Sequence, residues 1–471
     1  MRCPLRYLYG GDGNIGSVQP DTWSRLAEYV KESKERLVEE VRELLRIPSI
    51  SGTGEGIEET ANYIGDWLKE RLGVEPAFLR YGRHPIIYGK LDVGAGRTVV
   101  LYNMYDVQPP DPLDAWEVPP FEGRIVGDRI VARGAYNTKG ALMSCLLGVE
   151  AFLRVGSEPP VNLVFVLEGE EELGSPSMPK FVEDKGSELK GSYMVYFAIP
   201  SERVPGKPII VLGHKGIVFV ELKCRVAKYD AHSSLGRGLI NPVAALARVI
   251  SHLLDPAEGP RLPWLEEKTV TPTSEDLQYL RDLVEACPRE EVLKVYGVEK
   301  ARLGGLDWYV AVYFKPSVNV DGIISGYMGP GTKTITPAEA RARLDFRLVP
   351  NIEPEDVVEG LESVVERLGL RDLVEIEVHD SYPWSKTDPK APPVQDAKRA
   401  YEKIGTRPYV VPMTPGSAPS YLFTRVLGLP MVQTGPGHGG RAHAPNEYIT
   451  VDTVPKMVLY TAALLLEASR S

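Results

Sequence analysis

The stretch PVNLVFVLEGEEELGS (160–175) joins a near-continuous apolar strand to an abrupt run of acid. A strand that is apolar on both sides needs cover on both faces, which an open, half-wet sheet does not provide. Runs of the same kind recur as HPIIYGKLD (84–92), RTVVLYNMYD (97–106), GSYMVYFAIP (191–200) and LGLPMVQTGPG (427–437). Segments with apolar residues at helical spacing fall between and around them. They include DTWSRLAEYVKESKERLVEEVRELLRI (21–47), read as a single helix with Asp21 as N-cap, GIEETANYIGDWLKERLG (56–73) and TKGALMSCLLGVEAFLRVG (138–156). Buried strands alternating with helices predict an α/β domain with helices on both faces of one sheet.

The pattern changes near Gly216. IVFVELKCRVAKYD (217–230) and EARARLDFRLVP (339–350) alternate apolar with polar residues, as strands with one wet face do. Helices NPVAALARVISHLL (241–254) and EPEDVVEGLESVVERLGL (353–370) follow them, and LVEIEVHDSYP (373–383) closes the segment. Two β-α-β units of this kind predict a ferredoxin-like α+β domain. The α/β pattern resumes at PPVQDAKRAYEKIG (392–405). The expected organisation is a tail at 1–20, an α/β domain in two parts at 21–213 and 385–471, and a domain inserted at 214–384.

A chain of 471 residues exceeds one compact core, and 43% hydrophobic with 25% charged residues argues against extensive disorder. A net charge of −10 with no basic run offers nucleic acid no electrostatic attraction. The longest apolar run, MVLYTAALLL (457–466), is short of the roughly 20 residues of a membrane span. The N-terminus carries no apolar stretch of signal-peptide type, so the expectation is a soluble, cytoplasmic protein without membrane partners. Cys3, Cys145, Cys224 and Cys287 are too scattered for a zinc ribbon or disulfide framework and read as free thiols. Sparse glutamine, 40 prolines and plentiful ion-pairing residues suggest a heat-adapted source.

Acids and histidines concentrate where α/β folds place ligands, after predicted strands. These places are Asp106, the loop Ala132–Gly140, the turn Glu168–Ser175 and the loop Gly435–Glu447. Consecutive glutamates at a strand end repel one another, and a bound cation is the usual compensation. Glu171 and Glu172 can then divide into general base and ligand.

In chain order, DVQPPDPLDAWEVPPFEGRIVGDRIVARGA, EGEEELGSPS, DAHSSLGRG, LDFRLVP and AHAPNEYI together resemble the dinuclear zinc metallopeptidases. This is the family of carnosinase-type dipeptidases, aminoacylase, carboxypeptidase G, succinyl-diaminopimelate desuccinylase and acetylornithine deacetylase. The carnosinase-like branch is the nearest in motif. The resemblance implies a three-layer catalytic domain carrying an inserted dimerisation or lid domain, and cleavage of an amide bond by water held between two zincs. It also implies Glu171 as base, Asp106 as its supporting acid, and Glu172 and His443 as ligands of the second zinc. His232 would stabilise the oxyanion in a neighbouring subunit's site.

Several positions depart from that pattern. The first-zinc histidine falls on Met104, the bridging aspartate on Asn137 and the later acid on Ala198, with Glu202 a poor substitute nearby. A thioether is a weak zinc ligand, an amide removes the charge that lets two dications approach, and alanine offers nothing. The substrate-clamping arginine falls on Met413, while Gly416 and Ser417 remain. These losses predict no two-zinc centre and at most one zinc per chain, at Glu172 and His443 with Asn137. The expectation is a non-catalytic binding or scaffolding protein beside an active paralogue. The alternative is a single-zinc amidohydrolase acting on a dipeptide or N-acyl amino acid. Either would take a small peptide or amino-acid-like ligand and form a homodimer through the inserted domain, whose strand IVFVELKCRV and helix NPVAALARVISHLL match the part of the family that pairs edge to edge.

Overall fold

The computed structural model describes residues 22–295 and 297–470; the tail at 1–20, Cys3 within it, and the expected cap Asp21 lie outside them. Strands β1 (Ala77–Leu79), β2 (Ile86–Leu91), β3 (Thr98–Met104), β4 (Asn162–Glu168), β5 (Met194–Ala198) and β6 (Ile209–Val211) come before the inserted segment. Within it lie β7 (Gly216–Arg225), β8 (Ser317–Ser325), β9 (Glu339–Leu348) and β10 (Val374–Tyr382), and after it β11 (Tyr409–Val411) and β12 (Met431–Thr434). The large sheet has eight strands in the order β1-β2-β4-β3-β5-β12-β6-β11. Its centre, β4-β3-β5-β12, is parallel.

Side chains alternate between faces with the strand period of two. Val99 and Leu101 of β3, with Leu163, Phe165 and Leu167 of β4, join one core beneath the helices Ile57–Leu72, Lys139–Arg154 and Thr453–Arg470. Val100, Tyr102, Val164 and Val166 join a second core against the helix Met178–Leu189. Both faces are thus covered, and the α/β expectation holds. The expected single helix over 21–47 is two, Thr22–Glu32 and Lys34–Arg46, interrupted at Ser33. Both pieces pack against Thr453–Arg470 and Lys139–Arg154. Among the described residues, no helix is long and apolar enough to cross a membrane.

The inserted sheet is antiparallel throughout, in the order β8-β9-β7-β10, with helices Pro242–Leu253 and Pro354–Arg367 packed on the face bearing Val218, Val220, Leu222, Leu344 and Phe346. This is the two-unit β-α-β arrangement expected from the alternation. One expectation is corrected here: β7 lies between β9 and β10, so its edges are occupied and it cannot pair with another copy. The free edges belong to β8 and β10. Helices Ser274–Ala286 and Gly305–Phe314, not resolved from sequence, form a small core of their own with Ile209 of β6 and Val411 of β11. The chain enters and leaves the insertion side by side, with Gly213–His214 paired antiparallel to Ser385–Lys386. A side chain at Gly213 would collide with the Ser385 carbonyl, so this crossing requires glycine.

Candidate functional site

The parallel strands end together. Met104 of β3 faces Glu168 of β4 in register, and Ala198 of β5 faces Thr434 of β12. Met104 and Ala198 are both buried, at 2% and 1% exposure. Between them the Asn103 amide donates to the Ala198 carbonyl at 3.0 Å, and its Oδ1 accepts from Thr138 Oγ1 at 2.6 Å. Met104 and Ala198, which match first-zinc ligands, therefore present only a thioether and a methyl group. Glu202 does not replace them. Its carboxylate accepts the backbone N–H groups of Gly206 and Gly437 at 2.6 and 2.9 Å, tying down the glycine-rich loop that leads to His443.

The run of acids after β4 is stabilised by hydrogen-bond donors within the protein rather than by repelling charge in the open. Glu168 accepts from Tyr102 and Ser175, and Glu170 from Ser177 and the backbone N–H groups of Arg83 and His84. Asp106 is fully buried and accepts the backbone N–H groups of Glu171 and Glu172 at 3.2 and 2.9 Å. It clasps the turn that carries both glutamates, which makes it a positioning residue. Burial pushes the Asp106 carboxyl up to about 7 and that of Glu168 up to about 8. Burial, then the charges of Glu172, Glu168 and Asp106, push Glu171 well above the usual carboxylate range.

Glu172 meets the other half of the site. Its Oε1 accepts from Asn137 Nδ2 at 2.7 Å and lies 3.2 Å from His443 Nε2, while Asn137 Nδ2 and His443 Nε2 are 3.0 Å apart. Gln108 donates to the other oxygen of Glu172 at 2.9 Å. Three side chains far apart in sequence thus close a triangle at the mouth of the acid turn. The loop bearing Asn137 is held by Glu447, whose buried carboxylate accepts the backbone N–H groups of Gly134, Tyr136 and Asn137 and pairs with Arg133 at 2.6 Å. Arg133 also stacks over Trp116. Sequence reasoning placed Glu447 in a candidate loop but assigned it and Arg133 no role; their distance along the chain hides the pairing.

The inserted domain covers this turn with the end of β10. A side chain at Gly174 would meet Asp380 Oδ2 at 3.0 Å, and Tyr382 lies within electrostatic reach of Glu171 and of Arg347. Arg347 donates to Ser417 Oγ at 2.9 Å, and the Gly416 carbonyl accepts the Lys215 N–H at 3.0 Å. A cation therefore stands beside Gly416 and Ser417 although Met413 is not one. Met413 is buried in the core of the inserted domain. Arg347 was missed because, in an alternating strand, it reads as a wet-face residue. His232 is exposed, with Nδ1 accepting the Ser234 N–H at 3.1 Å, and no contact joins it to Glu171, Glu172 or His443. On the sheet of the inserted domain, Glu221, Glu377 and His379 also bring donor atoms together. Arg343 and Lys223 already ion-pair the two glutamates there, so that group is an ion-pair network.

Two consequences are measurable. Replacing Arg133 with methionine leaves the Glu447 carboxylate buried without its counter-charge, and should cost about 3–5 kcal/mol of stability in denaturant unfolding. His443 is raised above its ordinary value, first by its hydrogen bond to Glu172. A raised histidine stabilises the fold fully below the unfolded value of about 6.5 and loses that contribution as pH rises through the folded value. The stability difference between the wild type and His443→Gln should therefore shrink as pH rises above about 6.5, and a difference that grows would contradict the Glu172 pairing.

The chain matches the model of Peptidase family M20/M25/M40 over residues 100–467. It is 27% identical over 457 residues to a Cys-Gly metallodipeptidase of Candida albicans, covering 90% of this chain and 93% of that protein. It is 30% identical over 278 residues to the human Beta-Ala-His dipeptidase, covering 57% and 53%. Among solved structures, an M20 family metallo-carboxypeptidase, Sso-CP2 from Sulfolobus solfataricus, superposes with a TM-score of 0.85 at 35% identity, covering 91% of this chain and 98% of that one. Human carnosine dipeptidase 1 shares the fold, with a TM-score of 0.78 at 23% identity and 95% and 100% coverage. The parallel strand ends, the acid turn and the histidine loop lie inside the matched span, and the protein belongs to peptidase family M20.

Proposed function

We propose that the protein is an amide-bond hydrolase of the dipeptidase type, working on a small peptide or N-acyl amino acid with at most one zinc ion. The carrying observation is the Glu172–Asn137–His443 triangle, with sides of 2.7, 3.0 and 3.2 Å, next to Glu171. Donors bound tetrahedrally to one zinc at about 2.0–2.1 Å stand roughly 3.3 Å apart, so a carboxylate oxygen, an imidazole nitrogen and, after an amide flip, the Asn137 oxygen are close to the required face. The first-zinc positions do not fit a metal, because Met104 and Ala198 are buried and apolar. Zinc bound at the triangle would supply a Lewis acid for the scissile carbonyl.

The remaining tasks fall to the chain itself. Glu171 is the group that exchanges a proton with the attacking water, held in place by Asp106 through the turn backbone. Arg347 orients a substrate carboxylate beside Ser417, and Tyr382 with the end of β10 keeps bulk water from the turn. Family relatives named for Cys-Gly and β-Ala-His hydrolysis support a dipeptide substrate. A second reading, a catalytically silent peptide-binding or scaffolding protein, is favoured by the burial of Met104 and Ala198.

The test is zinc content of protein purified without chelator, alongside hydrolysis of Cys-Gly and β-Ala-His. The expected result is one zinc or less per chain, with Glu171→Gln lowering turnover about 100-fold or more without changing zinc content. Asn137→Asp should tighten zinc binding, whereas Met104→His alone should not. Two tight zincs in the wild type would overturn the ligand assignment. Dipeptide binding with neither zinc nor turnover would select the second reading.

A homodimer through the inserted domain goes with this proposal. The edge strand β8 exposes Ile323 and Ile324 at 55% and 72%, and Tyr229, Leu235 and Met328 nearby are exposed as well. His232 sits on the same domain and can serve a site only in another copy. Sedimentation at micromolar concentration should give a dimer, and Ile324→Glu should shift it towards monomer; a monomeric wild type would sink the proposal.

A further inference from the structure

A cavity of about 140 Å³ lies apart from the acid turn, where the inserted domain meets its helical segment. Its walls include Val270, Phe314, Val349, Trp384 and Met413, with Asp276 and Lys386 among the lining residues. Val349 and Met413 are buried at 1% and 2% exposure. The charged pair is loose: Lys386 Nζ stands 3.8 Å from Asp276 Oδ1, and the other oxygen of Asp276 is taken by the backbone N–H and hydroxyl of Thr273, at 3.0 and 2.8 Å. The Trp384 indole nitrogen is buried and has no acceptor among the described residues. An apolar chamber and a cation whose counter-charge stands 3.8 Å away occur together.

We infer that this cavity is a second ligand site, distinct from the peptide cleft, for a small aromatic acid: a benzene-sized ring bearing a carboxylate. The volume matches that ring, since an apolar cavity of about 150 Å³ accepts benzene. The carboxylate answers Lys386. The cavity wall and the cleft share chain segments. Val349 follows Arg347 by two residues, Trp384 follows Tyr382 by two, and Met413 precedes Ser417 by four. The Lys215 ammonium donates to the Lys315 carbonyl, next to Phe314, while the Lys215 N–H donates to the Gly416 carbonyl, so that one residue ties the cavity wall to the cleft loop.

Benzoate is the probe, titrated calorimetrically into the full chain, with benzyl alcohol as the uncharged ring of similar size. The wild type should bind benzoate with a Kd of about 0.1–1 mM and benzyl alcohol at least about tenfold more weakly. Lys386→Gln should weaken benzoate about tenfold, and Val270→Trp, which fills the chamber from its exposed rim, should abolish binding. Arg347→Met should leave binding intact, which separates this site from the carboxylate clamp of the cleft. Absence of saturable binding, equal affinity for the two probes, indifference to both cavity variants, or loss in Arg347→Met would each overturn the inference. None of these measurements depends on zinc or turnover, so the inference and the proposed hydrolysis fail separately.

Discussion

The carboxylate of Glu447 is buried among the backbone N–H groups of Gly134, Tyr136 and Asn137 and the guanidinium of Arg133, and the arrangement of the site rests on it. Burying an ionised group is costly unless its lone pairs are filled, and here they are filled from a loop that lies more than 300 residues earlier in the chain. The bond therefore joins the two halves of the interrupted domain and sets the position of Asn137. His443, four residues before Glu447, is brought to Asn137 and Glu172 by the same anchor.

Against that fixed frame, the acid turn is governed by desolvation. Asp106, Glu168 and Glu171 are all driven upward by burial, with neighbouring carboxylates adding to the effect. Hydroxyl and backbone donors compensate Glu168, Glu170 and Asp106 one by one, whereas Glu171 depends on its proton or on a cation at Glu172. A group whose charge state is set by what binds beside it suits a site where binding and proton transfer are coupled. The buried thioether and methyl of Met104 and Ala198 offer no charged ligand beside it.

The insertion serves the site in a way that its own core does not require. Its sheet closes on two helices, yet the ends of β9 and β10 carry Arg347, Asp380 and Tyr382 to the cleft, and the paired crossing at Gly213–His214 and Ser385–Lys386 keeps them registered. The loop following β11 meets Arg347 through Ser417. The cleft is therefore built at a joint between domains, where modest shifts of one wall alter the geometry of the other.

The α/β sheet, its inserted partner and the position of the acid turn could be read from the chain because apolar periodicity is a local property. Val99 to Tyr102 alternates between two cores with the strand period that the sequence displays. The zinc-peptidase resemblance was likewise legible, as was the departure at Met104, Asn137 and Ala198, since both rest on residue identity and order. Partnerships were not legible. Nothing local to Glu447 points to Arg133, nothing in LDFRLVP distinguishes Arg347 from its wet-face neighbours, and nothing in IVFVELKCRV marks it as an inner strand rather than an edge. The break at Ser33 was not legible either, since no helix-stopping residue marks it. Residue type and spacing determined which elements form and which chemistry is affordable at the strand ends. Tertiary structure alone decided which buried charge is answered by which donor, because that depends on groups brought together across hundreds of residues by a core that no single segment contains.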